Sequence, residues 1–204
     1  RTGAGLRDAR PSVSRSVLVG AFVTFRPLLG RCGRVSLFAI ASGRGFAGNA
    51  LLLACCDVII ATANATIGMA GPAMIEGGGL GVYRPDEVGP MSVQVPNGVV
   101  DILVSDEREA ARVARQYLSY FQGRTTGWTC ADQRLLRHAV PENRMRAYDM
   151  RALIGTMADT GSMLEIRQGF GLGMITALIR VEGRPIGVIA NNPLHLGGAI
   201  EGEA

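Results

Sequence analysis

The chain has 204 residues, of which 48% are hydrophobic and 19% are charged, with a formal net charge of +4. These values exclude an intrinsically disordered protein, which combines low hydrophobicity with high net charge, and they predict a globular protein of one or two domains. The basic residues are all arginine, which indicates a composition bias first, although the mild positive balance also suits an anionic ligand. They are too few and too scattered to predict a nucleic-acid surface. No apolar run reaches the roughly 20 residues that a membrane span needs.

The cysteines and histidines are too dispersed to predict a metal site. No C-x-x-C pair occurs, and both histidines lie far from the cysteines in the sequence. We therefore expect no metal and a reducing compartment, although an even number of cysteines is also compatible with disulfides. His138 is expected to be solvated and His195 to be a structural loop residue. The cysteines are Cys32, Cys130 and the adjacent pair Cys55 and Cys56, which is typical of small core residues.

The first third of the chain predicts strands joined by a glycine-rich turn and a helix. An apolar segment over residues 16–29 predicts a buried helix, and the short apolar run 35–41 predicts a buried strand. The turn SGRGFAGNA follows at 42–50, and the apolar LLLACC after it predicts the first turns of a buried helix. Two further runs, 57–62 and 65–70, predict strands, and this alternation is typical of an α/β layer fold.

The middle of the chain predicts a long loop followed by the clearest helix. Residues 71–92 are rich in Gly and Pro and predict a loop, and loops of that length inside a domain are usually functional. A strand is predicted at 99–104, and then a helix over 106–122 with Ser105 as its N-cap and one buried apolar stripe. Gly123 fits the position just past the end of this helix.

The last part of the chain predicts a linker, a second helix and a β-hairpin. Residues 124–143 are polar and irregular, which is typical of a linker. The helix that follows has Asp149 as its candidate cap and ends at Gly161. Its side chains predicted to face inward are Leu153, Ile154 and Met157. The apolar runs MITALIRV and PIGVIAN flank Glu182-Gly183-Arg184, a pattern that predicts a hairpin.

The stretch from Gly43 to Pro72 carries the most specific chemical signal. A strand ends there, the backbone turns through Gly43, Gly45 and Gly48, and a helix begins. Glycines leave main-chain N–H groups open to a ligand, and a helix N-terminus adds partial positive charge. The turn is therefore a candidate donor site for a carbonyl oxygen that becomes an enolate. A glycine-rich structural turn without a ligand explains the same residues equally well.

This stretch resembles the crotonase superfamily, whose members present a glycine-rich turn, a helix that ends in Cys-Asp, and two strands. Here the turn is 43–48 and the helix ends at Cys56-Asp57. Matched through that pair, Gly48 takes the position at which the superfamily places an oxyanion-hole N–H. The hydratases of the superfamily need two glutamates, and the matching positions hold Leu51 and Gly71. The resemblance therefore implies enolate stabilisation without hydration.

Four further stretches resemble the carboxyltransferase components of biotin-dependent acyl-CoA carboxylases, a branch of that superfamily. They are, in chain order, GPAMIEGGGLG, VPNGVVDILVSDEREAARVARQYLSYFQG, AYDMRALIGTMADTGSMLEI and GRPIGVIANNPLHLGGAI. The resemblance covers roughly residues 35–200 and implies crotonase/ClpP-like layered β-sheets with helices. It implies the end of an N-lobe over 1–123, a linker over 124–143 and the start of a C-lobe over 144–204.

The resemblance implies transfer of a carboxyl group from carboxybiotin to the α-carbon of an acyl-CoA. The N-lobe is implied to hold the acyl-CoA and the C-lobe the carboxybiotin, and a biotin nitrogen is implied to take the α-proton, so no side-chain base is needed. The implied catalytic residues are Gly48, through its oxyanion-hole backbone N–H, and Ala47, and a second oxyanion hole is implied beyond Ala204. The implied substrate-binding residues are Gly43, Arg44, Gly45, Phe46, Gly71, Pro72, Gly77 and Gly78.

The same resemblance implies partners and a location. Biotin is implied to arrive on a carrier protein or domain loaded by a biotin carboxylase, and the chain is implied to form a homo-oligomer with its site between subunits. No nucleic acid, membrane or metal is expected, and the implied compartment is the cytoplasm, or the mitochondrial matrix in a eukaryote. Two alternatives stay open: another crotonase-type acyl-CoA enzyme, such as an isomerase or decarboxylase, and a non-catalytic scaffold subunit of the same fold.

Several residues near the turn have structural explanations beside functional ones. Asp57 is expected to brace the junction of helix and strand, and Ser42 lacks the flanking sequence of a nucleophilic serine. Arg44 suits either a phosphate of coenzyme A or plain exposure, and glycines 77–79 suit either a closing loop or a flexible turn. The chain begins without Met and ends without a closing element, so both ends are expected to be cuts in a longer chain.

Overall fold

The computed structural model of the chain describes residues 28, 30–31, 33–143, 145–200 and 202. The predicted helix over 16–29 lies almost wholly outside the described residues, as does Cys32, so neither is tested. Within the described ranges, no helix is both long enough and apolar enough to cross a membrane. Helices alternate with strands that pair both in parallel and antiparallel, which confirms the predicted α/β class.

The chain folds into two compact units that are not divided by a single cut in the sequence. The first unit takes the chain up to Gln94 together with Leu103–Ala111, and the second takes Val95–Ile102 together with the chain from Arg112 onwards. This division follows the contacts between residues, whereas the predicted boundaries at 123 and 144 separate the two lobes of the family that the chain resembles. The lobe boundaries stay a prediction.

Two small sheets form the frame of the first unit. One has the strand order β1 (Phe38–Ala41), β3 (Val58–Thr62), β5 (Ile102–Val104), with β1 and β3 parallel. The other pairs β2 (Arg44–Phe46) with β4 (Thr66–Gly68) in parallel. Every residue of β3 is buried, which explains why its sequence is a continuous apolar run rather than an alternating one. The strands predicted in this part are confirmed, and each is shorter than its apolar run.

Three short helices accompany these strands: α1 (Gly48–Ala54), α2 (Pro72–Gly77) and α3 (Met91–Gln94). The first of them confirms the helix predicted after the glycine turn. The prediction of one long loop over 71–92 is wrong at both ends, where α2 and α3 lie. Gly71 precedes α2 in an extended conformation and Pro72 starts the helix, a position where proline needs no N–H partner.

The long helix α4 spans Glu107–Ser119, as its apolar stripe predicts. Its N-cap is Asp106 rather than the predicted Ser105, because Asp106 Oδ1 accepts the Glu109 N–H at 2.8 Å. The Glu109 carboxylate in turn accepts both the N–H and the hydroxyl of Ser105 at 2.8 Å. The first turn of the helix is therefore fixed by reciprocal hydrogen bonds. The stripe is buried at Ala110, Val113, Ala114 and Tyr117.

The second unit contains an antiparallel sheet of strand order β6-β7-β8 and short helical segments. Its elements are a 3-10 helix (Gln133–His138), α5 (Met150–Met157), β6 (Leu164–Ile166), β7 (Met174–Val181), β8 (Arg184–Asn191) and a second 3-10 helix (Leu196–Gly198). The predicted linker over 124–143 thus carries a helical turn of its own.

The predicted hairpin of β7 and β8 is confirmed. The strands pair antiparallel up to Val181 opposite Arg184, so the turn between them consists of Glu182 and Gly183. Both turn residues have positive φ, 52° and 75°, which gives the twist that a two-residue hairpin turn needs. The predicted turn is therefore correct except that Arg184 belongs to β8.

The core of the second unit forms where α5 packs on β7. Its fully buried members include Ile154 on the helix and Ile175 and Ile179 on the strand. The prediction that Met157 faces inward is wrong, because 38% of its surface is exposed. The helix ends at Met157 instead of the predicted Gly161, so the apolar stripe lacks its expected last turn.

Asp149 caps α5, as predicted, so we expect its substitution to destabilise the protein. Its Oδ1 accepts the N–H groups of Arg151 and Ala152 at 2.8 and 3.2 Å. Losing such a cap costs about 1 kcal/mol, because the freed N–H groups have no helical partner. We expect Asp149→Ala to lower the free energy of unfolding by about 1 kcal/mol and Asp149→Asn, which keeps an acceptor, to lower it less. Denaturant unfolding measures both, and an unchanged midpoint in Asp149→Ala would disprove the cap.

Candidate active site

The segment predicted as the glycine turn, 43–48, lies in the first unit between β1 and α1. The prediction is wrong in its middle, where Arg44–Phe46 form the strand β2. Gly43 follows Ser42 with a φ of +70°, a left-handed conformation that favours glycine. The Gly43 carbonyl accepts the Thr66 N–H at 2.9 Å, and at the other end of the turn the Ala47 N–H donates to the Gly68 carbonyl at 3.0 Å. β4 therefore holds the turn at both ends through backbone atoms.

The two predicted catalytic residues, Ala47 and Gly48, differ in the state of their N–H groups at the start of α1. Ala47 has a φ of 51° and a ψ of −119°, a strained conformation that costs of order 1–3 kcal/mol and is typical of functional sites. Its N–H is bound to Gly68 and is not open to a ligand. The Gly48 N–H has no acceptor in the described part of the chain, and a Cβ added to Gly48 meets nothing within 4 Å. Gly48 is therefore the stronger candidate donor.

The start of α2 joins the turn through the Phe46 ring. A Cβ added to Gly71 would lie 3.5 Å from this ring, and one added to Gly68 would lie 3.6 Å from it. The backbone at both glycines thus approaches Phe46 closely. The structure brings Gly71 next to the turn. The substrate-binding roles of Gly71 and Pro72 stay predictions.

The remaining predicted substrate-binding residues are placed differently. Gly45 is buried in β2, where an added Cβ would lie 3.4 Å from the Thr66 carbonyl. Its substrate-binding role stays a prediction. Arg44 beside it is exposed. Gly77 and Gly78 are exposed at the far end of α2, about 9 Å along the helix axis from its start.

Neither of the two positions that match the hydratase glutamates carries a carboxylate in the folded chain. Leu51 is 44% exposed on the outer face of α1, and Gly71 lies against an aromatic ring. Asp57 braces the strands, as predicted: its Oδ2 accepts the Leu37 N–H at 2.7 Å, and its own N–H donates to the Leu37 carbonyl at 2.9 Å. None of these residues offers a base at the turn.

The carboxylate that does reach the turn belongs to Glu107, the first residue of α4. Its Oε1 accepts the Ser42 hydroxyl at 2.6 Å. This hydrogen bond, followed by one from the backbone, lowers the pKa of Glu107, so the group is an ionised acceptor. The sequence did not place Glu107 at the turn, because 65 residues separate it from Ser42.

The histidines and the described cysteines lie away from any such arrangement. His138 is exposed in its 3-10 helix, and His195 is half-buried in the loop after β8. Cys55 and Cys56 are half-buried and Cys130 is exposed, and none of these three described cysteines forms a disulfide. Among the residues that the structure describes, no group of three or more His, Cys, Asp or Glu is arranged to hold a metal ion.

Sequence reasoning missed a buried polar cluster in the second unit. Arg180, on β7, is 6% exposed, and its guanidinium lies 5.2 Å over the Tyr120 ring. The guanidinium donates at 2.5, 3.0 and 2.6 Å to the carbonyls of Ser119, Gly123 and Gly183. The available signal was an arginine at the end of an apolar strand, two residues before a hairpin turn.

The cluster continues through Asp159, which is also 6% exposed. Its carboxylate accepts the N–H groups of Glu182 and Gly183 at 2.9 and 2.7 Å. The Tyr120 hydroxyl donates to the Ser162 carbonyl, and burial raises the pKa of Tyr120. A cavity of about 280 Å³ lies beside the cluster, lined by residues of the second unit and by none of the predicted site residues. The cluster thus holds the hairpin turn in place.

The sequence of the chain matches one family over most of its length. Residues 31–204 match the carboxyl transferase domain, and the chain belongs to that family. An uncharacterized carboxylase, YngE, from Bacillus subtilis is 29% identical over 82% of this chain and 35% of its own length. The methylmalonyl-CoA carboxyltransferase 12S subunit of Propionibacterium freudenreichii is 28% identical over 83% of this chain and 34% of its own. The chain spans about a third of the length of these relatives.

Solved structures of carboxyltransferases share the fold. A single-chain, multi-domain long-chain acyl-CoA carboxylase matches 100% of this chain and 19% of its own, with a TM-score of 0.87 and 53% identity. The transcarboxylase 12S hexamer matches 87% of this chain and 38% of its own, with a TM-score of 0.72 and 25% identity. These neighbours have the crotonase-like fold, which confirms the predicted fold class.

Proposed function

We propose that the chain forms part of a carboxyltransferase that moves a carboxyl group from carboxybiotin to the α-carbon of an acyl-CoA. The observation that carries the proposal is the Gly48 N–H, which follows a glycine turn and has no acceptor among the described residues. An N–H in that position stabilises the thioester oxygen as the α-carbon loses its proton and negative charge develops. Membership of the carboxyl transferase domain family supports the reaction class.

The turn has the rigidity that such stabilisation requires. The Gly43 carbonyl and the Ala47 N–H are both bonded to β4, so neighbouring backbone fixes the position of Gly48. Donors that are already in place need no reorganisation when charge develops, which is why they stabilise a transition state more than water does. The strained φ of Ala47 supports the same conclusion, because only a surrounding structure that holds it firmly maintains such a conformation.

The side chains at the turn bind and orient the acyl-CoA in this proposal, and they do not remove its α-proton. Leu51 and Gly71 occupy the places where hydratases carry carboxylates. Glu107 is engaged by Ser42, and its lowered pKa makes it a weak base. Carboxybiotin supplies the carboxyl group, and the α-proton leaves towards the biotin side.

The proposal includes the lobes and partners of the complete enzyme, meaning the full protein that carries this chain together with its biotin-bearing partner. Residues 1–123 belong to the acyl-CoA lobe, 124–143 to a linker and 144–204 to the biotin lobe. A biotin carboxylase loads a biotin carrier protein or domain, which the biotin-dependent carboxylase subunits among the relatives support. The hexamer of the transcarboxylase 12S supports a homo-oligomer with sites between subunits. A cytoplasmic location, or the matrix in a eukaryote, belongs to the same proposal.

The proposal names acyl-CoA as a class and not one acyl group. Relatives of this chain are named for methylmalonyl-CoA, for propionyl-CoA and for long-chain acyl-CoA. These substrates share the thioester and the α-carbon, which are the parts that a donor at Gly48 reaches. The length of the acyl chain is therefore set by residues other than the turn.

A comparison of two substrates separates this proposal from a crotonase-type hydratase. The complete enzyme is given crotonyl-CoA, whose enoyl absorbance is followed, and separately propionyl-CoA with carboxybiotin, whose carboxylated product is measured. We expect carboxylated product and no loss of enoyl absorbance, because no carboxylate stands at Leu51 or Gly71. Turnover of crotonyl-CoA at an ordinary enzyme rate of about 10 s⁻¹ would contradict the proposal.

The cysteines are expected to be dispensable. Cys55 and Cys56 lie half-buried at the end of α1, and the Cys56 thiol donates to the Leu52 carbonyl at 3.5 Å. We expect an enzyme with all 4 cysteines replaced by Ser or Ala to keep carboxyl transfer within about tenfold of the original rate. Steady-state kinetics and circular dichroism check the result. A folded but inactive cysteine-free enzyme would show that a thiol takes part in the reaction.

A further inference from the structure

We propose that Ser42 and Glu107 form a positioning pair that holds the glycine turn in the geometry its donor role requires, a proposal that rests on the proposed function. The Ser42 hydroxyl donates to Glu107 Oε1 at 2.6 Å and joins segments 65 residues apart in the sequence. Both residues belong to the first unit. The pair links the turn to α4. The backbone bonds that hold the turn go to β4, so α4 provides a separate attachment.

The pair supports the turn from a side that β4 does not reach. The bonds from Thr66 to Gly43 and from Ala47 to Gly68 are backbone to backbone and both go to β4. Ser42 lies between the buried end of β1 and Gly43, where the chain changes direction. Within the described part of the chain, the Ser42 hydroxyl forms a side-chain hydrogen bond that joins the turn to Glu107. Loss of this bond leaves the first residue of the turn held by β1 alone.

The chemistry of the pair makes it a firm contact for a surface position. A hydroxyl that donates to a carboxylate at 2.6 Å forms a charge-assisted bond, stronger than one between neutral groups. The acceptor is itself held in place, because it opens a helix whose first turn is fixed by Asp106 and Glu109. Glu107 is also exposed, so its replacement removes no core packing.

A loosened turn is expected to affect the chemical step more than substrate binding. Displacing a reacting group by about 1 Å can slow an enzyme by about 10²-fold, and a partial loosening has a smaller effect. The binding energy of an acyl-CoA is spread over many contacts, whereas stabilisation of the developing charge depends on the direction in which one N–H points. The predicted signature is a lower kcat with a nearly unchanged KM.

The kinetic test is a double-mutant cycle in the complete enzyme. We expect Ser42→Ala and Glu107→Ala each to lower kcat about tenfold with KM within about threefold, and the double variant to be no slower than either, because the pair acts as one unit. Glu107→Gln keeps an acceptor and should restore most of kcat. The matched control is Arg108→Ala, which removes an exposed charged side chain from the same helical turn and leaves both Ser42 and Glu107 in place. Equal kcat losses in the control, or full additivity in the double variant, would overturn the pair.

A second measurement scores the pair without any enzyme activity. Hydrogen–deuterium exchange follows the Thr66 and Ala47 amides, which are bonded to the turn or belong to it. We expect faster exchange in Ser42→Ala and Glu107→Ala and unchanged exchange in the control Arg108→Ala. If the wild-type enzyme transferred no carboxyl group, the proposed function would be refuted, but the exchange measurement would still test the positioning pair. Unchanged exchange in all variants would refute the positioning pair.

Discussion

Gly48→Val is expected to lower the kcat of carboxyl transfer by about 10²-fold or more and to leave the fold intact. A Cβ at Gly48 meets no atom within 4 Å and the residue is not left-handed, so the folded chain has room for the side chain. The same side chain stands beside the open N–H and crowds the oxygen that approaches it. Loss of one such donor costs about 10²–10³-fold in kcat. Steady-state kinetics in the complete enzyme measures the effect.

The matched control for this variant is Gly155→Val. Gly155 lies in α5, where an added Cβ also meets nothing within 4 Å, and it is exposed. We expect this variant to keep kcat within about twofold, because valine is no worse than glycine in a helix. Thermal unfolding of both variants shows whether they fold alike. A folded Gly48→Val enzyme with the original kcat would remove Gly48 from the proposed site.

Arg180→Met is expected to give the largest loss of stability in the second unit, roughly 3 kcal/mol. The guanidinium is buried and donates to the carbonyls of Ser119, Gly123 and Gly183, which connect the end of α4 to the hairpin turn. Methionine fills much of the same volume but donates nothing, so these carbonyls lose charged partners. Denaturant unfolding with a probe in the second unit measures the change.

Arg115→Met is the control for charge and side-chain length. Arg115 is exposed on α4, so its replacement is expected to change the free energy of unfolding by no more than about 0.5 kcal/mol. A loss in Arg180→Met no larger than in Arg115→Met would mean that the three carbonyls are satisfied without the guanidinium.

The sequence predicted the elements whose signal is local and periodic. The apolar stripe of α4 and the apolar runs on both sides of Glu182-Gly183 each extend over a whole element, so tertiary packing does not override them. The Asp149 cap was predictable because a cap is decided within three residues. α2 was missed because Gly and Pro lower helix propensity everywhere except at the helix start, where Pro72 stands.

The candidate site was predictable only as far as one continuous segment describes it. The order of strand, glycines and helix predicted a turn at 43–48, although Arg44–Phe46 form β2 within it, and the resemblance singled out Gly71. The state of each donor depends on partners far along the chain: the Ala47 N–H is bound to Gly68, and Ser42 is bound to Glu107. Such long-range pairs leave no pattern in a single sequence, and neither did the buried cluster around Arg180.

The most direct test of the central claim follows the carboxyl carbon itself. The complete enzyme receives carboxybiotin labelled with ¹³C in the carboxyl group and propionyl-CoA, and mass spectrometry measures the label in the acyl-CoA. The proposal predicts that the original enzyme forms an acyl-CoA with the label in the carboxyl group attached to its α-carbon. Gly48→Val is expected to form this product about 10²-fold more slowly. A folded original enzyme that transfers no label to the acyl-CoA would contradict the account.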